Sequence, residues 1–370
     1  MSAGRPGLRV VVVGGGIIGL ACAEELCRAG HDVHVFDPSP GSGATYAAAG
    51  MLAPGGEAWF GEEALLSLGL DSLGRWPAYA AALEERSGHD LDLRAGGTLL
   101  VAADRDDLAE VQRACALLEA SGVRSEELDR RAVRAREPTL SARVAGGALV
   151  PDDRHVNPRR VVAALLAVLG DRVVRTRAEP VADGVVLPDG TRLPADIVVL
   201  ATGAAGMPHV RPVRGEVVRV RSHDAPARML RARVHGERVY LVPRADGELV
   251  IGATEEEHSR AEGDPLPTLG GVSRLLDTAR ELVPGLDAAE LLEVVARDRP
   301  GSPDNGPLLG PLASIGPARL LLAGGHHRAG VLLAPVTAAT LRAHVDGLDV
   351  PAAANFFTPN RFERDEHPCA

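Results

Sequence analysis

Val10-Val11-Val12-Val13-Gly14-Gly15-Gly16-Ile17-Ile18-Gly19 runs straight into Leu20-Ala21-Cys22-Ala23-Glu24-Glu25-Leu26. A short β-branched run breaks on glycines, and apolar residues at helical spacing begin at once. This reads as strand, turn and helix with G-x-G-x-x-G on Gly14, Gly16 and Gly19, the arrangement that binds a dinucleotide. Gly14 permits the tight turn out of the strand. Gly16, having no Cβ, lets a pyrophosphate approach the backbone, and Gly19 lets helix and strand pack closely. The helix then presents free N–H groups and the positive end of its dipole to the phosphates. The motif alone is weak in a chain with 42 glycines among 370 residues, and its context strengthens it. The next strand, Val33-His34-Val35-Phe36, ends on Asp37, 18 positions after Gly19. An acid there accepts hydrogen bonds from ribose hydroxyls and repels a 2′-phosphate.

Composition narrows the function classes. The chain is 45% apolar and 24% charged, ordinary for a globular protein, and long enough for two domains or one domain with a large lobe. No run of 18 uninterrupted apolar residues occurs, so no membrane span is expected. Residues 1–7 lead directly into the cofactor strand; a leader cleaved there would destroy the fold, and a cytoplasmic protein is expected. A net charge of −10 without a long basic block argues against nucleic acid as a partner. Cys22, Cys27, Cys115 and Cys369 form no C-x-x-C pair and are expected to be free thiols, supporting neither a disulfide framework nor zinc. All 40 basic residues are arginine. Without lysine, Schiff-base, pyridoxal-phosphate and phosphate-loop-lysine chemistry are excluded, which leaves the bound cofactor as the source of chemistry.

Beyond Asp37 a turn-rich loop leads into Ala47-Ala48-Ala49-Gly50-Met51-Leu52-Ala53-Pro54. Residues this small let a flat ring lie against the backbone, or else form a packing seam; Thr45 can bond a phosphate or ribitol. Helical spacing is read over 62–88, 106–120, 158–169 behind the cap Asn157, 269–282 and 331–344. Trp59 and Trp76 read as core, and the charged segment 124–137 as solvated surface. Asp152, Asp153 and His155 read as caps beside a helix start, with no second cluster to complete a metal site. Strands are read over 96–101, 147–150, 173–174 and 185–187 as a hairpin pattern, 197–203, 214–220, the pair 238–244 and 248–254, 293–296 and 319–325. The 197–203 strand ends in Ala201-Thr202-Gly203, which would meet the cofactor from the opposite side. The order is βαβ, then an antiparallel block, then a returning strand–glycine–helix unit. It predicts an α/β fold in which a discontinuous cofactor domain (1–84, 145–212 and 296–370) carries an inserted antiparallel substrate domain (85–144 and 213–295).

Val13 to Gly19, Ala47 to Leu52, Arg299-Pro300-Gly301 and Gly325-His326-His327-Arg328-Ala329-Gly330-Val331-Leu332-Leu333-Ala334-Pro335 occur in order at suitable distances. Together they resemble the FAD-dependent D-amino-acid oxidase family, most closely the glycine oxidases of thiamine biosynthesis, over nearly the whole chain. The resemblance implies a Rossmann-like FAD-binding domain of the GR2 type and non-covalent FAD. It implies that Arg299 pairs with the substrate carboxylate, a role suited to a planar guanidinium. Arg328 would lie at both substrate and flavin, and the Tyr240 hydroxyl would help hold the substrate. The implied cofactor shell is Gly14, Gly16, Ile17, Ile18, Gly19, Asp37, Thr45, Ala49, Gly50, Met51, Val181, Gly203, His326, His327, Arg328, Ala329, Gly330, Val331 and Leu332. The helix beginning near Gly330 would aim its N-terminus at the pyrimidine end of the flavin, favouring the reduced form. No acid or base is assigned, and no metal: His326 and His327 are read as diverging along an extended segment.

The implied reaction is oxidative deamination of a small amino acid, glycine, sarcosine or D-alanine. Hydride passes to flavin, O2 becomes H2O2, and the imine feeds the thiazole of thiamine by hand-off to a thiazole synthase. Relatives imply a homo-oligomer. An oxidase or dehydrogenase of another D-amino, imino or N-alkyl amino acid stays open, as does a flavin-binding module without catalysis. A sarcosine-oxidase-like enzyme would need a lysine beside the flavin and a cysteine for covalent attachment; the chain has no lysine, and no cysteine between Cys115 and Cys369. The chain departs from the family pattern at Asp37, where glutamate is usual, at His327, where a bulkier apolar or aromatic residue can stand, and at Glu255.

Overall fold

In the computed structural model residues 7–257, 266–312 and 317–365 are described; Cys369 falls outside them. The valine run forms the strand Arg9–Val13 inside a six-stranded sheet. Its order is Leu308–Pro311, Arg319–Gly324, Ile197–Leu200, Arg9–Val13, Asp32–Phe36 and Val173–Val174. All neighbours are parallel except Leu308–Pro311. Parallel strands covered on both faces require near-continuous Val/Ile/Leu runs, which is what these segments supply. Val10, Val12, Val33 and Val35 pack under the helices Ile17–Arg28, Glu63–Ser87, Pro158–Leu169 and Gly330–Asp346. Val11, Val13, Val198 and Leu200 face the other way, onto Val185 and Ala195.

Pro335 lies within the Gly330–Asp346 helix, where it supplies no N–H to the helix ladder. One turn away, Leu332 O accepts the Ser72 hydroxyl at 2.6 Å and Trp76 Nε1–H at 2.9 Å. The Glu63–Ser87 helix is thereby tied to the returning helix, and Trp76 is fully buried core. Burial pushes the Cys22 thiol in the first helix up to about 12, leaving it inert.

The second sheet has eight strands, in the order Glu290–Gly301, Arg211–Arg221, Glu248–Gly252, Glu237–Pro243, Met229–Val234, Thr98–Ala102, Gly146–Val150 and Glu126–Asp129. Only the pair Met229–Val234 and Thr98–Ala102 is parallel. One face is covered by the Leu269–Leu282 helix, through Leu275, Ala279 and Leu282. On the other, Val217, Met229, Val242 and Val250 meet Ala47, Ala49 and Ala53. Among the described residues no helix is long and apolar enough to cross a membrane.

Three expectations need correction. Val173–Val174 does not join a hairpin; it pairs with Val35 and Phe36 at the edge of the parallel sheet. The Pro188-Asp189-Gly190 turn instead connects Gly184–Val186 to Arg192–Pro194. The segment 124–137 is not merely solvated surface: it holds the strand Glu126–Asp129 and the helix Arg130–Arg136, capped by Asp129 Oδ1 on Ala132 N at 2.7 Å. Leu128 and Val133 anchor it inside. Finally, the 293–296 strand extends over Glu290–Gly301, because it pairs along the full length of Arg211–Arg221. Arg299 therefore sits on a strand.

Candidate active site

The carboxyl ends of the parallel strands and one face of the eight-stranded sheet enclose a cavity of about 740 Å³. In open parallel sheets this crevice is where ligands bind. Gly16, Ile17, Ile18, Asp37, Thr45, Ala49, Gly50, Met51 and Gly203 line it from the first side. Tyr240, Arg299, His326, His327, Arg328, Gly330 and Val331 complete the wall. Gly14, Gly19, Val181, Ala329 and Leu332 are not in the lining. Val181 is in the small antiparallel sheet, and Leu332 spends its carbonyl on Ser72 and Trp76.

The three motif glycines divide the work. Gly14 has φ +110°, and a Cβ there would stand 2.3 Å from Ala201 O. A Cβ on Gly19 would stand 2.0 Å from Gly14 O. At Gly16 the nearest atom to an added Cβ is Thr45 Oγ1 at 3.6 Å, so this position is open to the cavity. Thr45 Oγ1 accepts the first-turn Ile17 N–H at 3.2 Å. Asp37 accepts Gly15 N at 2.6 Å and Ser39 N at 2.7 Å, one bond on each oxygen, which leaves lone pairs for ribose hydroxyls. The cradle fits an elongated dinucleotide.

Arginines from the second sheet and from the Pro158–Leu169 helix hold the alanine segment against it. Arg244 donates to Ala49 O at 2.5 Å and Val156 O at 2.9 Å. Arg219 reaches Tyr46 O and Ala48 O at 3.5 Å, and Arg159 donates to Tyr46 O at 3.0 Å while lying 3.7 Å over the Tyr46 ring. Burial lowers the Arg244 guanidinium to about 10, still charged at neutral pH. Replacing Arg244 with methionine strips two buried carbonyls of their donor, at about 1–3 kcal/mol each. A lower denaturant midpoint and weaker retention of the cofactor are expected, read by unfolding followed through visible absorbance and far-UV dichroism.

Arg299 lays its guanidinium flat over Gly215: a Cβ on Gly215 would fall 2.3 Å from Nη1 and 2.4 Å from Cζ and Nη2. Nη1 donates to Thr254 O at 3.1 Å, and among the described residues no carboxylate pairs with Arg299. Tyr240 stands opposite Gly252 in the register, and a Cβ on Gly252 would fall 2.3 Å from its hydroxyl. Burial raises the Tyr240 pKa, so the hydroxyl is a donor at working pH. Gly215→Ala meets only the far end of a flexible side chain, so the fold tolerates it while the guanidinium is displaced. About a tenfold rise in KM with an unchanged melting temperature is expected, since such misplacement costs little stability but spoils orientation.

Arg328 is in a different state. It pairs with Glu62 and reaches Glu57 O at 3.5 Å, so a ligand meets an ion pair there and not a bare cation. His326 is buried on Thr337 Oγ1 at 2.9 Å, and desolvation lowers its pKa to about 3. The His326-His327 segment is a turn and not extended: His326 is helical and His327 has φ +46°. Sequence reading missed Arg231, Arg238 and Glu57 in the wall. Arg231 pairs with Glu57 at 2.7 Å, and Arg238 lies 3.9 Å over Trp59. The available signal was register: Arg231 faces Tyr240 and Arg233 faces Arg238 across two adjacent strands. Asp104, Asp107 and His235 gather elsewhere, but the Asp104 and Asp107 oxygens already serve Asp106 N, Asp107 N, His235 and Gly236 N as caps.

The family model described as FAD dependent oxidoreductase matches residues 9–343. The chain is 33% identical to the glycine oxidase of Geobacillus kaustophilus, over 89% of this chain and 90% of that protein. It is 31% identical to the bifunctional protein ThiO/ThiG of Trichormus variabilis, over 96% of this chain but 55% of the relative, so it spans about half the length of that protein. The crystal structure of the Geobacillus kaustophilus glycine oxidase superposes with a TM-score of 0.85 at 30% identity, covering 96% of this chain and 99% of the other.

Proposed function

The chain belongs to the FAD-dependent oxidoreductase family, and from that premise we propose that it oxidises a small amino acid, glycine first, with sarcosine and D-alanine as alternatives. Its cofactor is FAD. Gly16, Ile17, Asp37 and Thr45 would hold its phosphates and ribose, and Ala49 to Met51 with Gly330 and Val331 its ring. Bound FAD supplies a hydride acceptor whose electrons O2 can take up, giving H2O2.

The chain's own residues bind and orient. Arg299 holds the substrate carboxylate through the N–H groups that Thr254 leaves free, and the Tyr240 hydroxyl donates to the same group. Arg328, balanced by Glu62, would border both ring and substrate. Closure of this space keeps water from competing for those donors, so each is stronger than in solution. The antiparallel insertion, 85–144 and 213–295, is the substrate domain of this reading, and 1–84, 145–212 and 296–370 the FAD domain. The ThiO/ThiG relatives support hand-off of the imino product to a thiazole synthase.

The observation that carries the proposal is Arg299: a guanidinium without a carboxylate partner among the described residues, held beside Tyr240 in the cavity that Gly16 also lines. Anaerobic mixing of the purified yellow protein with glycine, sarcosine and D-alanine in parallel tests it. Bleaching of the flavin by at least one is expected, and no bleaching by any would overturn it.

A further inference from the structure

The strands Met229–Val234 and Glu237–Pro243 run antiparallel, with Arg231 opposite Tyr240 and Arg233 opposite Arg238. Residues two apart on a strand share a face, so Arg238 looks into the same cavity as Tyr240. Val239, between them, turns the other way into the core under the Leu269–Leu282 helix. Arg238 is exposed at the mouth of the cavity, and its guanidinium lies 3.9 Å over the Trp59 ring. A guanidinium stacked on an indole keeps its N–H donors in its own plane, free for an acid arriving from the side.

Other arginines of this wall have an acid. Arg231 pairs with Glu57 at 2.7 Å, and Arg328 pairs with Glu62. Glu110 is shared by Arg113 and Arg233, the second at 3.9 Å. Arg238 has no carboxylate partner among the described residues, a lack it shares with Arg299. Burial first, then Arg233 and Arg231, lower its pKa, while Glu255 and Glu110 oppose them without pairing with it. The charge sits in a positive neighbourhood, where a bound anion relieves repulsion that the fold leaves in place. The Arg299 guanidinium lies over Gly215 in Arg211–Arg221, and Glu248–Gly252 separates that strand from the one carrying Arg238. Two strand spacings of about 4.8 Å put roughly 10 Å between these backbones. The two ends of a short diacid can bridge that separation with charge-assisted hydrogen bonds of about 2.8 Å.

We propose that Arg238 is a second anion-binding residue of this site, so that its substrates include amino acids with two carboxylates, the first held by Arg299 and the second by Arg238 on Trp59. The proposal rests on the amino-acid oxidase reading above. It extends that reading from substrates with one acid group to short amino diacids, the second acid hung on the nitrogen or on the α-carbon. Trp59 fixes the guanidinium, and the Arg231–Glu57 pair, already neutral as a unit, does not compete for the anion.

Two pairs of substrates, each differing by one carboxylate, test this on the holoenzyme: sarcosine against iminodiacetate, and D-alanine against D-aspartate. In R238M, kcat/KM for the diacid relative to its partner should fall roughly tenfold in at least one pair, the scale of a charge-assisted bond at a partly solvated mouth. The pair that responds shows where the second acid hangs. R238K should recover part of the loss, since an ammonium keeps the charge but not the planar fork. Glutarate, which has the shape of iminodiacetate without its nitrogen, is compared with acetate through perturbation of the flavin spectrum. Its preference over acetate should fall by a similar factor in R238M, with no turnover involved. Each ratio is taken within one variant, so differences in folding or cofactor loading cancel. Ratios that R238M leaves unchanged in both substrate pairs, or an unchanged glutarate preference, overturn the proposal while the oxidase reading stands. A wild-type protein that neither glycine nor any of these amino acids reduces overturns both.

Discussion

Arg299→Ala is expected to lose roughly 10²–10³ in kcat/KM for a small amino acid, nearly all of it in KM, from two charge-assisted hydrogen bonds worth about 1.5–3 kcal/mol each less what water restores. FAD should remain bound and the melting temperature should hardly move. The physical reason is that Arg299 does little for the fold. Among the described residues its one hydrogen bond to protein runs from Nη1 to Thr254 O, and beneath it lies Gly215, which has no side chain to pack. Removing the side chain leaves no buried carboxylate stranded among the described residues, in contrast to removal of Arg328, which would take from Glu62 its ion-pair partner and leave it the Asn305 amide. Arg299→Lys should recover only part of the loss, because an ammonium is a point charge that cannot span two carboxylate oxygens. Steady-state kinetics with flavin absorbance on the same samples checks both parts. Wild-type kinetics in the alanine variant would remove Arg299 from the substrate site.

What the sequence made legible was local. The Val10–Val13 run, the three glycines and Asp37 lie within one βαβ unit, and their spacing alone carries the turn. Leu269–Leu282 emerged with its limits intact because its cap is also local: Thr268 Oγ1 accepts Gly271 N at 3.1 Å. Segments governed by distant partners stayed hidden. Arg244 gives no sign in sequence that it will hold Ala49 O, 195 residues away. The pairs Arg328 with Glu62 and Arg231 with Glu57 likewise join residues 266 and 174 positions apart. Within 124–137, charge concealed a strand and a helix because only Leu128 and Val133 anchor them, too few for a periodicity. The Val173–Val174 edge was misassigned for a related reason: two residues carry no direction, and their partner strand at Val35 and Phe36 had to be assembled first. His327 was visible as a departure, but its burial in a turn of positive φ is something an apparently extended His-His pair does not announce.

Gly16→Ala and Gly19→Ala should fail in different ways, and the difference locates the dinucleotide. A Cβ on Gly19 meets the backbone oxygen of Gly14 at 2.0 Å, so helix and strand must separate. Backbone cannot yield as a side chain does, and a loss of about 3 kcal/mol or more, in the range of core overpacking, is expected. That protein should express poorly and melt early whether or not FAD is added. Gly16 is the opposite case. Its added Cβ would meet Thr45 Oγ1 at 3.6 Å, an ordinary contact, so the chain should fold with wild-type dichroism. The volume it fills lies in the cavity, where a pyrophosphate must come close to the first-turn N–H groups. Pushing the phosphates off two such bonds costs about 3 kcal/mol, or roughly a hundredfold in FAD affinity. Gly16→Ala should therefore purify folded and nearly colourless, turning yellow only at raised FAD. A yellow Gly16→Ala protein with undiminished FAD affinity would show that the pyrophosphate does not pass over this turn, and the assignment of substrate groups around Arg299 would lose the frame that positions them.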